Sequence, residues 1–288
     1  MSIRTILAVL SGTQIDKRVL NAALDVGQSS EARITGLYDE TALRDFPGVY
    51  AAYGTGMYLS DELSPSVERQ IAEKRLAARR HFDEWQVRTC VPHPGPNVTG
   101  PTALFRSETD CAPVLLSKYG PTADLIVVGL PTRGEIDNGL TLEAALFHTG
   151  RPVLALPSTG PTTIPQGAPI AVAWNGRPEA ARALSAALPI LARSDAEVIL
   201  MHVGAGERPQ TLASVVDYLA LHGIESRSLY LTDRPGGTGA LLLEEAARHD
   251  AGLLVMGAYS HNRWREMILG GVTRHVIQHA VLPVLFAH

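Results

Sequence analysis

The stretch richest in reactive groups is Gly257-Ala-Tyr-Ser-His-Asn-Arg-Trp-Arg-Glu-Met-Ile-Leu-Gly-Gly-Val-Thr-Arg-His275. One loop-like run collects two guanidinium groups (Arg263, Arg265), a hydroxyl (Ser260), an imidazole (His261) and the pair Gly270-Gly271. That set suits an anion. Glycines let a phosphate approach the backbone, a helix start offers unpaired N–H groups at the positive end of its dipole, and arginine or protonated histidine adds charged donors. The same residues also suit an ordinary loop running into a helix, since glycine pairs are common there. His275 and His279 stand four apart, a metal-ligand spacing, but no Glu follows the first of them as in a metalloprotease motif, and exposed residues of a helix face are the simpler reading. No Ser-His-acid or paired-carboxylate arrangement stands out, so no catalytic residue is assigned and no structural metal is expected.

The elements that must position this segment are duplicated. Ile6-Leu-Ala-Val-Leu-Ser-Gly12 and Ala32-Arg-Ile-Thr-Gly-Leu-Tyr38 recur as Ile170-Ala-Val-Ala-Trp-Asn-Gly176 and Ala196-Glu-Val-Ile-Leu-Met-His202, at one offset of 164. Ala123-Asp-Leu-Ile-Val-Val-Gly129 pairs with Ala251-Gly-Leu-Leu-Val-Met-Gly257 at 128, and Pro152-Val-Leu-Ala with Pro283-Val-Leu-Phe at 131. The first half therefore carries 36 extra residues between its second and fourth strand signals. Short Val/Ile/Leu runs alternating with helical segments imply strands buried on both faces and paired in parallel through crossover helices. Ala180, Ala183, Leu184, Ala187, Leu188 and Leu191 fall on one helix face, and Leu212–Leu221 and Leu241–Ala247 read as further helices. The Gly-rich stretch Thr232–Gly239 lacks the Lys-Ser/Thr of a phosphate loop and reads as a helix start.

The division is residues 1–158, a linker 159–168 rich in Pro, Gly and Thr, and residues 169–288. An insertion at about 39–65 holds Tyr50, Tyr53 and Tyr58 and reads as a surface loop, or as a lid or partner surface. With 288 residues, 45% hydrophobic, 19% charged and a formal charge of -4, the chain is neither disordered nor a basic nucleic-acid binder. No apolar run reaches the roughly 20 residues that span a bilayer. With no export signal and only Cys90 and Cys111, a cytoplasmic protein is the expectation.

The order of strands and helices, with Gly257 followed by Gly270 at the spacing of a Gly-x2-Gly-x9-Gly-Ser/Thr motif, resembles the universal stress protein family in its tandem form. Ser260 replaces the second glycine and Gly271 the Ser or Thr, though Thr273 supplies a hydroxyl two residues on. The resemblance implies an α/β fold of two tandem open parallel-sheet domains, Rossmann-like and similar to adenine nucleotide alpha hydrolases. It also implies one adenine-nucleotide site, in the second domain, for ATP with or without Mg²⁺. The residues it points to are Ala173, Asn175, Val203, Met256, Gly257, Ser260, His261, Arg263, Gly270, Gly271, Val272 and Thr273. Asn175 stands where the family usually has Asp, and core packing competes as the role of Ala173 and Met256. In the first half, Leu142-Glu143 is placed opposite the Gly-Ser and would spoil a phosphate loop.

The partners expected are the nucleotide and the second half itself, as an intrachain pseudo-dimer joined through Val153–Leu156 and Val284–Phe286, with a homodimer open. Neither nucleic acid nor membrane is expected. The implied role is a stress-response binding or regulatory module. A nucleotide-free assembly module is the alternative, and a slow ATPase or nucleotidyl transferase the more distant one.

Overall fold

The computed structural model describes residues 2–40, 65–131, 136–193, 195–204, 210–258 and 271–288. Most of the Tyr-rich insertion, with Tyr50, Tyr53 and Tyr58, lies outside them. In chain order the first half contributes β1 (Thr5–Leu10), α1 (Ile15–Gly27), β2 (Arg33–Asp39), α2 (Pro65–Thr89), β3 (Thr102–Glu108), α3 (Ala112–Tyr119), β4 (Leu125–Gly129), α4 (Ile136–His148) and β5 (Val153–Leu156). The second half contributes β6 (Ile170–Ala173), α5 (Pro178–Leu191), β7 (Val198–Val203), α6 (Gln210–Leu221), β8 (Ser226–Leu231), α7 (Gly237–Arg248), β9 (Leu253–Gly257), α8 (Gly271–His279) and β10 (Val284–Ala287). The extra length of the first half is partly helix, since α2 has 25 residues against 12 in its counterpart α6.

All ten strands form one sheet in the order β3-β2-β1-β4-β5-β10-β9-β6-β7-β8. Each half runs 3-2-1-4-5 with parallel pairing, as apolar strands joined by helices require. The halves meet at one antiparallel pair, Phe286 opposite Val153, Leu285 opposite Leu154 and Val284 opposite Ala155. These are the segments that the resemblance singled out.

Alternate residues of each strand enter opposite apolar layers. Ile6, Ala8 and Leu10 lie in one with Val172, Leu200 and Leu285, while Leu7 and Val9 lie in the other with Ile126, Met201, Met256 and Phe286. Each layer thus crosses the seam between halves. In α5 the expected face is buried at Ala180, Ala183, Leu184, Ala187 and Leu191, with Leu188 packed against its rim. The Thr232–Gly239 stretch does open α7, through Gly236 and Gly237 at φ of 111° and 83°. Gly239 faces α8, where a Cβ would come within 2.8 Å of the His275 Cβ.

Candidate functional site

In an open parallel sheet the crevice beyond the carboxyl ends of the central strands is where ligands bind. In the second half that edge belongs to β6, flanked by β7 and β9. The register sets Ala173 between Met201 and Met256. Trp174 N then donates to Met201 O at 2.8 Å, and the chain turns through Asn175 and Gly176, the latter at φ +75°. Across the edge, His202 Nδ1 lies 2.9 Å from Trp174 O, tying the end of β7 to the end of β6. Ala173, Val203 and Val272 are half-buried against the apolar layer that contains Met256. Ala173 and Met256 are therefore neighbours across β6 and β9, with Val203 and Val272 bordering the same apolar layer and Met256 itself part of the core at 4% exposure.

Asn175 differs in detail from the expectation. Its Oδ1 accepts from Arg177 N at 3.1 Å, so the side-chain acceptor serves the turn and the NH₂ is the polar group left for another partner. Gly257 has a structural reason of its own. A Cβ there would lie 2.7 Å from Ala180 N and Glu179 C at the start of α5, and one on Gly129 would lie 2.7 Å from Ile15 Cγ1 at the start of α1. Both strand-end glycines admit the helix that follows the first strand of their repeat, whatever binds nearby.

Gly271 begins α8 exposed, and a Cβ on it would meet nothing within 4 Å among the described residues. Thr273, which the sequence offered as the hydroxyl of the motif, is not on the exposed face of α8. It is buried at 5% exposure, one turn before Val276 and Ile277 on the stripe that faces the core, whereas Arg274 is exposed. Ser260, His261, Arg263, Arg265 and Gly270 fall outside the described residues.

The first half requires a correction. Leu142 and Glu143 do not occupy the start of a helix. They lie inside α4, with Leu142 buried at 2% exposure and Glu143 exposed. Both α4 and α8 end in histidine, His148 and His279, at the same offset of 131 as Pro152 and Pro283, which pairs Leu142 with buried Thr273. Leu142 is a core residue and says nothing about a phosphate.

In the first half the loop after β1 is held by a carboxylate that the sequence analysis did not single out. Asp16, fully buried on the first turn of α1, accepts from Ser11 N at 2.8 Å and Gly12 N at 3.0 Å, and also from Ser11 Oγ at 3.1 Å. His81, also buried, brings Nδ1 to 3.2 Å of the same carboxylate from α2. A Cβ on Gly12, whose φ is +75°, would overlap the Lys74 carbonyl, so α2 lies directly on this loop. The offset of 164 pairs Asp16 with Ala180, and the carboxylate in the first turn of α5 belongs instead to the preceding residue, Glu179. That substitution between repeats was the available signal.

A second overlooked residue is Glu179, in the first turn of α5. Its Oε1 stands 3.4 Å from Arg182 Nη2, while Oε2 is buried and has no hydrogen-bond partner among the described residues. His275 and His279 stack at 4.2 Å, and burial, then the neighbouring ring, pushes the His275 pKa down. Among the described residues no group of three His, Cys, Asp or Glu side chains could hold a metal. A cavity of about 700 Å³ opens in the first half against Glu40, Arg75, Arg79, Phe105 and Ser107, and none of the expected nucleotide residues lines it. There Arg75 pairs with Glu40 at 3.1 Å and Arg79 with Asp83 at 2.8 Å.

Residues 168–288 match the model of the universal stress protein family. Over the whole chain the fold is similar to that of a universal stress protein from Archaeoglobus fulgidus DSM 4304, with a TM-score of 0.70 at 17% identity, covering 99% of this chain and 96% of the other. A functionally unknown protein from Pseudomonas aeruginosa PAO1 gives 0.60 at 14% identity, over 99% and 92%. The cytoplasmic domain of a prokaryotic cation chloride cotransporter gives 0.56 at 10%, over 99% and 95%. At such identities these likenesses concern the fold alone. The comparison with curated proteins found no match. No helix among the described residues is long and apolar enough to cross a membrane.

Proposed function

We propose, from the match of residues 168–288 to the universal stress protein family model, that the second domain is of that family and binds ATP or a related adenine nucleotide as a cytoplasmic stress-response module. The observation that carries this reading is the contrast between the repeats. In the first, the loop after β1 is filled by the Asp16 carboxylate and covered by α2 at Lys74. In the second, Ala180 stands at the position of that carboxylate, and Gly271 is exposed at the start of α8, where a Cβ would meet nothing within 4 Å among the described residues.

The residues present fit the group. Ala173, Val203 and Met256 offer an apolar wall to a base, and the Asn175 NH₂ is a donor for one of its ring nitrogens. Gly271 and the amides that open α8 would meet phosphate oxygens, with the helix dipole adding to the attraction. Ser260, His261, Arg263 and Gly270 belong to the same segment and remain part of the proposal. Nucleotide binding would supply the charge that such a module reads; the residues named here bind and orient, and none is assigned a chemical step.

The test is acid extraction of the purified chain with chromatography of released nucleotide, followed by calorimetry with ATP and Mg²⁺. Gly271→Leu puts a side chain where no described residue comes within 4 Å of a Cβ, so it is expected to keep the melting temperature and weaken ATP by at least about tenfold, some 1.4 kcal/mol. Absence of binding at millimolar ATP would overturn the reading. It would favour instead an assembly module, the alternative that the β5–β10 pairing supports.

A further inference from the structure

We propose that β8 is the edge through which two copies of this chain pair, antiparallel and about a two-fold axis at Ser228. The ten-stranded sheet ends in β3 on one side and β8 on the other. An edge strand presents a row of N–H and C=O groups that a further strand can use, and proteins that keep such an edge to themselves cover it or place charges on it. β3 is managed in this way. Ala103 N donates to Pro92 O at 2.9 Å, Gln86 Nε2 of α2 donates to Ala103 O at 3.4 Å, and the charges of Arg106, Glu108 and Lys118 gather beside the end of the strand. β8 has no such cover among the described residues. Val198 N donates to Glu225 O at 3.2 Å and Gly204 N to Leu231 O at 3.0 Å, so the odd-numbered residues bond β7, while Ser226, Ser228 and Tyr230 direct their backbone groups outward. No described residue bonds the outward N–H or C=O of Ser226 or Ser228. The strand carries a single charged side chain, Arg227, and it is engaged by Glu197 at 2.5 Å and by His249 Nδ1 at 3.2 Å.

Antiparallel pairing centred on Ser228 is self-complementary. Ser228 meets its own copy and Ser226 meets Tyr230, and each of these facing pairs exchanges two backbone hydrogen bonds. A small side chain stands at the axis, where one residue must face itself. The register sets Ser226 beside Val198 and Ser228 beside Leu200, which places the outward-bonding residues on the face of the sheet covered by α6, whose Leu212, Val215 and Leu219 share a layer with Val198 and Leu200. On that side Tyr230 is 42% exposed, and α6 leaves Tyr218 at 37% and Leu221 at 87%. The axis is perpendicular to the sheet, so both copies bring these apolar groups to the same side of the joint. The chain already builds a joint of this kind within itself, the antiparallel β5–β10 pair, across which both apolar layers continue.

The experiment is sedimentation equilibrium of the full chain over a concentration series, beside Ser228→Lys and Ser228→Val, with amide hydrogen exchange read by mass spectrometry. The joint is small, a strand of six residues and the side of one helix from each copy, so dissociation constants of about 1–100 μM are expected. The unchanged chain should pass from 30.8 kDa to twice that mass as its concentration rises through this range. Peptides from 226–231 should gain protection in step, and those from 102–108 should not. Lysine would face its own charge across the axis and should weaken association at least about tenfold, whereas valine, a better strand former with the same backbone donor, should leave it unchanged or tighten it. Both variants should melt with the unchanged chain when dilute, because position 228 stands at an edge. A mass of one chain at every concentration overturns the proposal. So does a dimer that Ser228→Lys leaves intact, which must join by another face. Protection of 226–231 in a monomer overturns it too, since something other than a second copy then covers the edge.

Discussion

At the end of β3, Glu108 accepts from Tyr119 Oη, from Lys118 Nζ at 3.0 Å and from Arg106 Nη1 at 3.0 Å, while the Arg106 guanidinium lies 4.7 Å from the Tyr119 ring centroid. Donation by Tyr119 first, then by Lys118 and Arg106, holds the Glu108 carboxyl at about 2 against an ordinary 4.5. A carboxyl depressed in the folded state stabilises fully above its unfolded value and loses that contribution as pH falls toward the folded one. Tyr119→Phe should therefore lower the melting temperature at neutral pH, and the deficit should shrink as pH falls from about 4.5 toward 2. A deficit constant over that range would show that Tyr119 acts by packing alone. Single residues were the least legible part of the sequence. Val203 and Gly257 fall at strand ends because strands are apolar runs that stop. Asp16 could not be assigned from its spacing, because its role depends on a helix more than fifty residues away, whose His81 reaches the carboxylate and whose Lys74 carbonyl lies over Gly12.

Elements were more legible, with errors where the repeats differ in length. The apolar runs located the strands, since each must be buried on both faces. The start of α4 was misjudged because the offset of 128 that relates β4 to β9 was carried past a length change, whereas the helices themselves follow 131. The linker is firmer than its Pro, Gly and Thr content suggests. Arg18 of α1 donates to the carbonyls of Pro157, Thr159, Gly160 and Pro161 at 2.7 to 2.9 Å, and Ile164 N donates to Asp25 at 3.1 Å. Burial pushes the Arg18 pKa down, yet four carbonyl acceptors suit the planar guanidinium fork. Arg18→Ala should speed proteolytic cleavage within 157–164 at native temperature, read by mass spectrometry of the fragments, while Arg18→Lys recovers only part of the protection. Cleavage at the rate of the unchanged chain would mean that the carbonyls are held by other contacts.

For the whole molecule, the two repeats were readable as domains but not as one folding body, because their union runs through the β5–β10 pair and side-chain contacts far apart in sequence, such as Arg193 with Asp25 and Phe147 with His288. Leu285 and Leu154 are fully buried opposite each other, and the apolar layers on both faces continue through that pair. Unfolding should accordingly be one calorimetric transition. Leu285→Ala should cost about 2–5 kcal/mol and separate the halves into two. Two transitions in the unchanged protein would show the repeats to be independent. The antiparallel seam also bears on how the chain is made. Synthesis completes β5 long before β10 exists, so the first repeat must wait with an apolar strand edge bare while the entire second repeat is translated. During that interval the nascent first half is open to pairing with another copy of itself on a neighbouring ribosome, and arrival of β10 is the event that shuts off that route.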